Sequence, residues 1–246
     1  MAKGKISSKK IENFMVIAII LTGILIIFNQ IQLAAISSSL NSLTGSTSKS
    51  TTFFGLGGKK STDLSSVDVT EITSTAMALA TLFPELDNIK NEQDAISIMI
   101  PTGTPEYSEA LGGISFDDPV TSLEYLAKWY NTIKPEVQQN DPQTWQRYLN
   151  LAAAPRGISC EFCCGVGPQG ITADGNLKCG CKHNPAAQAI ALGLMKNTDY
   201  SDAEVLKEVM KWKTLFFPRN MVGLAMDVAG TDPSQLKDLP GMVGGC

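Results

Sequence analysis

Five of the six cysteines and the only histidine of this chain lie close together, between residues 160 and 183. The first part of this cysteine cluster reads Cys160-Glu161-Phe162-Cys163-Cys164-Gly165, and the second reads Cys179-Gly180-Cys181-Lys182-His183. Thiolates and imidazoles are preferred zinc ligands in proteins, and a structural zinc site uses four of them. The clustering therefore predicts that the two parts fold toward each other around a metal ion.

The candidate metal ligands are the sulfur and nitrogen side chains of the cluster, namely Cys160, Cys163, Cys164, Cys179, Cys181 and His183. A tetrahedral zinc shell takes four donors, and the pattern favours Cys160, Cys163, Cys181 and His183. Cys164 and Cys179 are then substitutes or additional thiols. Because neighbouring side chains diverge, Cys163 and Cys164 are not expected to bind one ion together.

The segment between the two parts carries a turn signal. Asp174-Gly175 is flanked by short β-compatible runs, which is typical of a β-hairpin. After the second part, Asn184 is a candidate N-cap and Pro185 suits the first helical position. The positive end of that helix would then favour a thiolate at Cys181. The cluster is thus predicted to be a Cys-rich loop and β-hairpin insert that ends at a helix start.

The same cysteines are compatible with other chemistry. Thiolates also bind copper(I) and iron–sulfur clusters, a Cys160-x-x-Cys163 pair can exchange electrons, and an even number of cysteines suits a disulfide framework in an oxidising compartment. Covalent haem is disfavoured because Cys163 is followed by Cys164 and not by histidine. A hydrolase built on Cys181 and His183 lacks an identifiable orienting group. No catalytic residue is predicted, and an enzyme is the less favoured interpretation.

The N-terminal region predicts a membrane anchor. The apolar run from Phe14 to Phe28 spans about 22 Å as a helix, and extending it to Ile36 gives about 34 Å, enough for a hydrocarbon core of about 30 Å. Lysines precede the run, so the positive-inside rule places the N-terminus in the cytoplasm and the rest of the chain outside. A cleaved signal peptide ending near Leu33-Ala34-Ala35 is one alternative, and a buried core helix is another.

These features divide the chain into four parts, with the expected location at the cell membrane as a single-pass protein. Residues 1–13 form a basic cytoplasmic N-terminus, 14–36 the transmembrane helix, 37–66 a flexible Ser/Thr/Gly linker, and 67–246 an extracytoplasmic domain. The linker composition cannot bury enough apolar area to offset the entropy of ordering. The lipid bilayer is therefore one predicted partner.

Residues 67–246 are predicted to be mainly α-helical. An apolar stripe from Val69 predicts a helix ending at Pro84, and Asp118-Pro119 starts a helix whose stripe runs to Pro135. Further start signals are Asp141-Pro142 and the capping box Ser201-Asp202-Ala203-Glu204, and the helix after the box ends before Pro218. The run from Ala95 to Ile100 is ambiguous between strand and helix. Residues 102–117 are predicted to form a loop. The Gly- and Pro-rich tail ends in Cys246. The helices that begin at Pro185 and Ser201 are expected to form a helical hairpin over the metal-bearing loops.

Composition limits the partners. The net charge is −4 and charged residues make up 18% of the 246 residues. Lysines dominate residues 1–63, so the remainder is acidic, which excludes a nucleic-acid binder. A protein partner on the helical domain is compatible with this surface.

The cluster and its surroundings resemble known proteins in three ways. Four short segments resemble a group of membrane-anchored archaeal proteins of uncharacterised function. They are Cys160-Glu161-Phe162-Cys163-Cys164, Cys179-Gly180-Cys181-Lys182-His183, Lys211-Trp212-Lys213 and Phe216-Phe217-Pro218. The order of knuckle, hairpin and ligands at a helix start is similar to treble-clef zinc sites, although C-x-C-x-H departs from their usual spacing. The cysteine clustering also resembles that of extracytoplasmic lipoproteins, but no lipoprotein-type cysteine lies near the N-terminus. The resemblance to treble-clef sites implies zinc binding, and none of the three resemblances implies a particular activity.

Overall fold

The computed structural model describes residues 63–236 and 238–245, and in that part of the chain the secondary structure is helical, with no β-strand. This confirms the predicted mainly α class. The α-helices are α1 Thr75–Leu82, α2 Glu92–Met99, α3 Pro119–Asn140, α4 Pro142–Ala152, α5 Glu161–Cys164, α6 His183–Asn197, α7 Asp202–Phe216 and α8 Pro218–Val228. Short 3-10 helices span Leu64–Ser66, Pro84–Asn88, Glu109–Leu111 and Pro233–Gln235.

Helix starts follow the predicted capping signals. The side chains of Asp118 and Asp141 accept hydrogen bonds from backbone N–H groups three residues on, and a proline occupies the first helical turn after each. Ser201 and Glu204 form the predicted capping box at α7. These contacts satisfy N–H groups that have no partner within the helix, and each needs only residues within one turn.

One helix boundary differs from the prediction because tertiary packing overrides the local signal. Helix α3 continues through Pro135 to Asn140. A proline inside a helix costs about 3 kcal/mol, but the extra turn buries Val137 in the core. Helix α7 ends at Phe216, which confirms the end predicted before Pro218, and Pro218 then opens α8, which buries Met221, Val222, Ala225 and Met226.

N-capping side chains determine the secondary structure of two further segments. The helix predicted from Val69 begins only at Thr75, because Ser74 caps it and the buried Val69 and Ile72 precede it outside the helix. The ambiguous run from Ala95 lies in α2, where the side chain of Asn91 accepts from the N–H of Asp94.

Helix α6 lies at the centre of the described fold. All residues from Ala186 to Met195 are buried, and the helix packs against α3, α4 and α7. Gly193 permits the contact with α3, since a Cβ there would lie 2.6 Å from the ring of Trp129. The predicted pairing of the helices that follow Pro185 and Ser201 is confirmed as α6 against α7.

The predicted β-hairpin is a turn without strands. The N–H of Gly175 donates to the carbonyl of Thr172 at 2.9 Å, and Ile171 pairs with Leu177 in an isolated antiparallel bridge. The arms do not extend into strands, although the carbonyl of Gly170 accepts from the Lys178 N–H of the opposite arm as well as from a side chain of α6.

The predicted segments 1–13 and 14–36, and most of the linker predicted at 37–66, lie outside the described residues. Within the described ranges, each helix is too short or too polar to cross a bilayer.

The N-cap of α4 predicts a pH dependence. Hydrogen bonds from the Thr144 hydroxyl and N–H hold the pKa of Asp141 below its usual value. A carboxyl with a lowered folded-state pKa stabilises the fold above its unfolded pKa of about 3.9, and that contribution is lost as the pH falls through the folded value. Asp141→Asn keeps the capping oxygen but does not titrate. We therefore expect the urea midpoint of the wild type to fall more than that of Asp141→Asn between about pH 5 and pH 2. Parallel pH curves would contradict this account.

Candidate metal centre

The first part of the cluster is organised by the single helical turn α5. Cys160 is its N-cap residue, and its carbonyl accepts hydrogen bonds from the N–H groups of Cys163 and Cys164 at 2.9 and 3.3 Å. Gly165 then ends the turn in the left-handed conformation with φ +65°. Residues four apart lie on the same side of a helical turn. This places the sulfurs of Cys160 and Cys164 on one side.

The second part is a tight loop just before α6. The N–H of Cys181 donates to the sulfur of Cys179 at 3.4 Å. Gly180 between them is exposed, and a Cβ there would meet no atom within 4 Å. The loop therefore presents both sulfurs to the first part without steric restriction from its middle residue.

The two parts meet in a group of four thiols. The Sγ atoms of Cys160, Cys164, Cys179 and Cys181 all lie within 4.8 Å of one another, and these four cysteines are free. Cys160 is buried, Cys179 and Cys181 are half-buried, and Cys164 is exposed. This four-sulfur group could hold a metal ion.

A second, overlapping group contains Cys163, Cys181 and His183, whose ligand atoms also lie within 4.8 Å of one another. Cys163 is disulfide-bonded, and its sulfur is 3.6 Å from that of Cys164. The favoured set of Cys160, Cys163, Cys181 and His183 is thus divided between the two groups, with Cys181 common to both. Cys246, a further candidate for the cluster, lies outside the described residues.

His183 is the first residue of α6 and is only 1% exposed. Its Nε2 lies 2.7 Å from the carbonyl oxygen of Val243. A carbonyl only accepts, so Nε2 carries a proton, and Nδ1 is the ring nitrogen that can present a lone pair. Nδ1 is buried without a hydrogen-bond partner. The C-terminal tail thereby selects the ring nitrogen that is free to bind a ligand.

Three of the four thiols have shifted pKa values. A hydrogen bond from the Cys160 thiol is the largest of the interactions that lower the pKa of Cys181 to about 3. The same pairing with Cys181, together with burial, raises the pKa of Cys160. The pKa of Cys164 rises to about 11, chiefly through its hydrogen bond with Cys179. Without a cation, one negative charge is therefore concentrated on Cys181, at the N-terminal end of α6, where the helix dipole favours it.

Two polar residues of α6 hold both cysteine loops. The side-chain amide of Asn184 donates to the carbonyls of Gly170 at 2.9 Å and Cys179 at 3.3 Å. Gln188, one turn later, donates to the carbonyl of Ile158 at 2.8 Å. Asn184 was predicted as an N-cap, but α6 begins at His183 and Asn184 is buried within the helix. The pattern of two amides four residues apart in an otherwise apolar helix is the sequence signal for this role.

A buried lysine anchors α5 from the opposite side. Lys213 of α7 is 1% exposed, and its Nζ donates to Glu161 at 2.7 Å, Gly157 at 2.8 Å and Thr75 at 3.2 Å. Burial lowers the pKa of Lys213, and the charge of Glu161 opposes that shift. Because Glu161 directly follows Cys160, this ion pair fixes the turn that carries the first sulfurs.

Comparison of the chain with protein-family models, with curated proteins and with solved structures finds no match. The chemistry of the site follows from its donor set. Four thiols from two loops suit a soft or borderline cation such as zinc, and the binding of a cation would release the protons of the thiols that still carry one.

The contact between Gly170 and α6 predicts how sensitive the site is to added volume. A Cβ at Gly170 would lie closer than 3.0 Å to Asn184 Oδ1, Ile158 O and Gln188 Nε2, which are fixed by their own hydrogen bonds. We expect Gly170→Ala to lower the free energy of unfolding by about 1–3 kcal/mol and to weaken metal binding. Gly180→Ala, in the same pair of loops, is the matched control and should change stability by less than about 0.5 kcal/mol. Equal urea midpoints for the two variants would refute this packing.

Proposed function

We propose that this protein binds one zinc ion through Cys160, Cys164, Cys179 and Cys181, and that the ion stabilises the extracytoplasmic domain of a membrane-anchored protein. The observation that carries the proposal is the group of four free sulfurs within 4.8 Å of one another. A tetrahedral shell with Zn–S bonds of about 2.3 Å separates the sulfurs by about 3.8 Å. Small movements of the two loops are enough to reach that geometry.

The donor set favours zinc over the other soft ions. Tetrahedral coordination by four sulfurs is typical of zinc or iron–sulfur sites. Zinc has no redox chemistry, and the neighbouring Cys163 is disulfide-bonded. Disulfides persist in oxidising compartments. An ion without redox chemistry is the better fit to an oxidising compartment, which favours zinc.

A structural role is favoured over a catalytic one. Four protein donors fill the zinc shell, whereas catalytic sites keep one position for water or substrate. The segment between α4 and α6 has little regular structure, with the four residues of α5 and isolated bridges. An ion bound by both loops supplies the cross-link that a β-sheet ladder would otherwise give. A zinc-stabilised surface of this kind suits binding of a protein partner.

Metal content tests the proposal. The full chain, purified in detergent micelles without reductant, is expected to hold one zinc per chain by elemental analysis. Its Co²⁺ form should have the absorption bands of a four-thiolate shell. Cys164→Ser and Cys179→Ser should lose the ion, while Cys163→Ser, a neighbour outside the four-sulfur group, should keep it.

Removal of zinc should also lower the melting temperature. Ligand at 100 times its Kd stabilises a fold by about 2.7 kcal/mol, which corresponds to roughly 5–10 °C for a domain of this size. The assignment would be refuted if the purified wild-type protein contained no zinc, or if Cys164→Ser retained it. Bound copper or iron would support the alternative metals, and paired cysteines would support a disulfide framework.

The proposed location has its own test. Residues 14–36 supply the predicted anchor, with the N-terminus inside. A membrane-impermeant amine reagent applied to intact cells should label the exposed Lys90 and Lys128. Lys9 and Lys10 should react only after the membrane is permeabilised. Mass spectrometry that finds Lys9 labelled and Lys128 protected would reverse the topology.

A further inference from the structure

We propose that Cys163, Cys181 and His183 form a second metal site, which shares Cys181 with the four-sulfur group and becomes available when the disulfide bond of Cys163 is reduced. The inference rests on the proposed function, because Cys181 belongs to both sites. It adds redox control, since the number of bound ions then depends on the oxidation state of one sulfur.

The nitrogen of His183 is the first argument. The Nε2 proton is held by the carbonyl of Val243 at 2.7 Å, and Nδ1 is buried without a partner. Histidines that bind metals usually donate their other ring N–H to a carbonyl or carboxylate, which fixes the ring and its free lone pair. A bound cation would satisfy an atom that the protein otherwise leaves buried and unpaired, a state that is unfavourable.

The position of the sulfurs is the second argument. The donor atoms of Cys163, Cys181 and His183 lie within 4.8 Å of one another. The sulfur of Cys163 is also 3.6 Å from that of Cys164, a member of the first site. The two sites are therefore adjacent, and the Cys181 thiolate would bridge the two ions.

The disulfide determines whether the second site can form. A disulfide sulfur carries no thiolate charge, so Cys163 is not a strong ligand while it is bonded. A dithiol reductant transfers two electrons and two protons to the bond, yielding the thiol of Cys163 and that of its partner, while the dithiol closes to a disulfide. Zinc binding then displaces the proton of the Cys163 thiol to solvent.

The resulting shell differs in function from the first. It has two sulfurs and one nitrogen, which leaves a fourth position for water or an incoming ligand. An ion in such a shell exchanges more readily than one held by four protein donors. The inferred second site is therefore a labile zinc site that responds to thiol reductants, beside a permanent structural one.

The test counts ions in the full chain under two redox conditions. Zinc per chain is measured at equilibrium with a fixed concentration of free Zn²⁺, with and without a phosphine reductant that does not bind zinc strongly. We expect one ion in the oxidised wild type and two in the reduced wild type. X-ray absorption of the reduced form should gain a nitrogen in the zinc shell.

Two variants assign the second ion. Reduced Cys163→Ser and reduced His183→Ala should each bind one ion, and the first differs from the reduced wild type by a single sulfur. Because His183 is buried, Cys163→Ser keeps the test valid if His183→Ala does not fold. A single ion in the reduced wild type, or two in either folded variant, would overturn the second site. An oxidised wild type with no ion would overturn the four-sulfur site instead.

Discussion

The hydrogen bonds from α6 to the cysteine loops are the contacts on which the site depends. The Cys160 and Cys179 loops have almost no regular structure of their own, so their carbonyls need partners when buried. Asn184 and Gln188 provide those partners from a helix in which all residues from Ala186 to Met195 are buried. Gln188 is in turn held by the hydroxyl of Tyr148, which lies 3.0 Å from that of Tyr130. Both loops are thus fixed to the most rigid element of the domain.

Electrostatics adds a second connection between the site and the core. Lys213 lies beneath α5 and pairs with Glu161, next to the buried Cys160. A group of thiolates around a divalent ion carries net negative charge, and a buried cation nearby lowers the free energy of that charge. The lysine is stable in the core because Glu161, Thr75 and Gly157 together satisfy its three protons. The packing of α7 therefore places a buried positive charge next to the cluster.

The features that were predicted correctly from the sequence depend on contacts between residues that are close together along the chain. Asp118, Asp141 and Ser201 start helices because each caps N–H groups within one turn. Pro135 gave the wrong boundary, since the buried Val137 beyond it offsets its local effect, whereas the helix before Pro218 ends where it was predicted to end. Asn184 also looked like a cap, but its partners Gly170 and Cys179 lie on loops that only the folded chain brings near.

The sequence alone determined the donor chemistry, because six sulfur and nitrogen side chains within a short segment have few other uses, and it determined where α3, α4 and α7 begin. The tertiary structure decided which sulfurs meet, which nitrogen of His183 is free, and which cation lies beneath them. Val243 is 60 residues from His183, and Lys213 is 52 from Glu161. Contacts at such separations arise from the packing of α6 and α7, and no local pattern of residues encodes them.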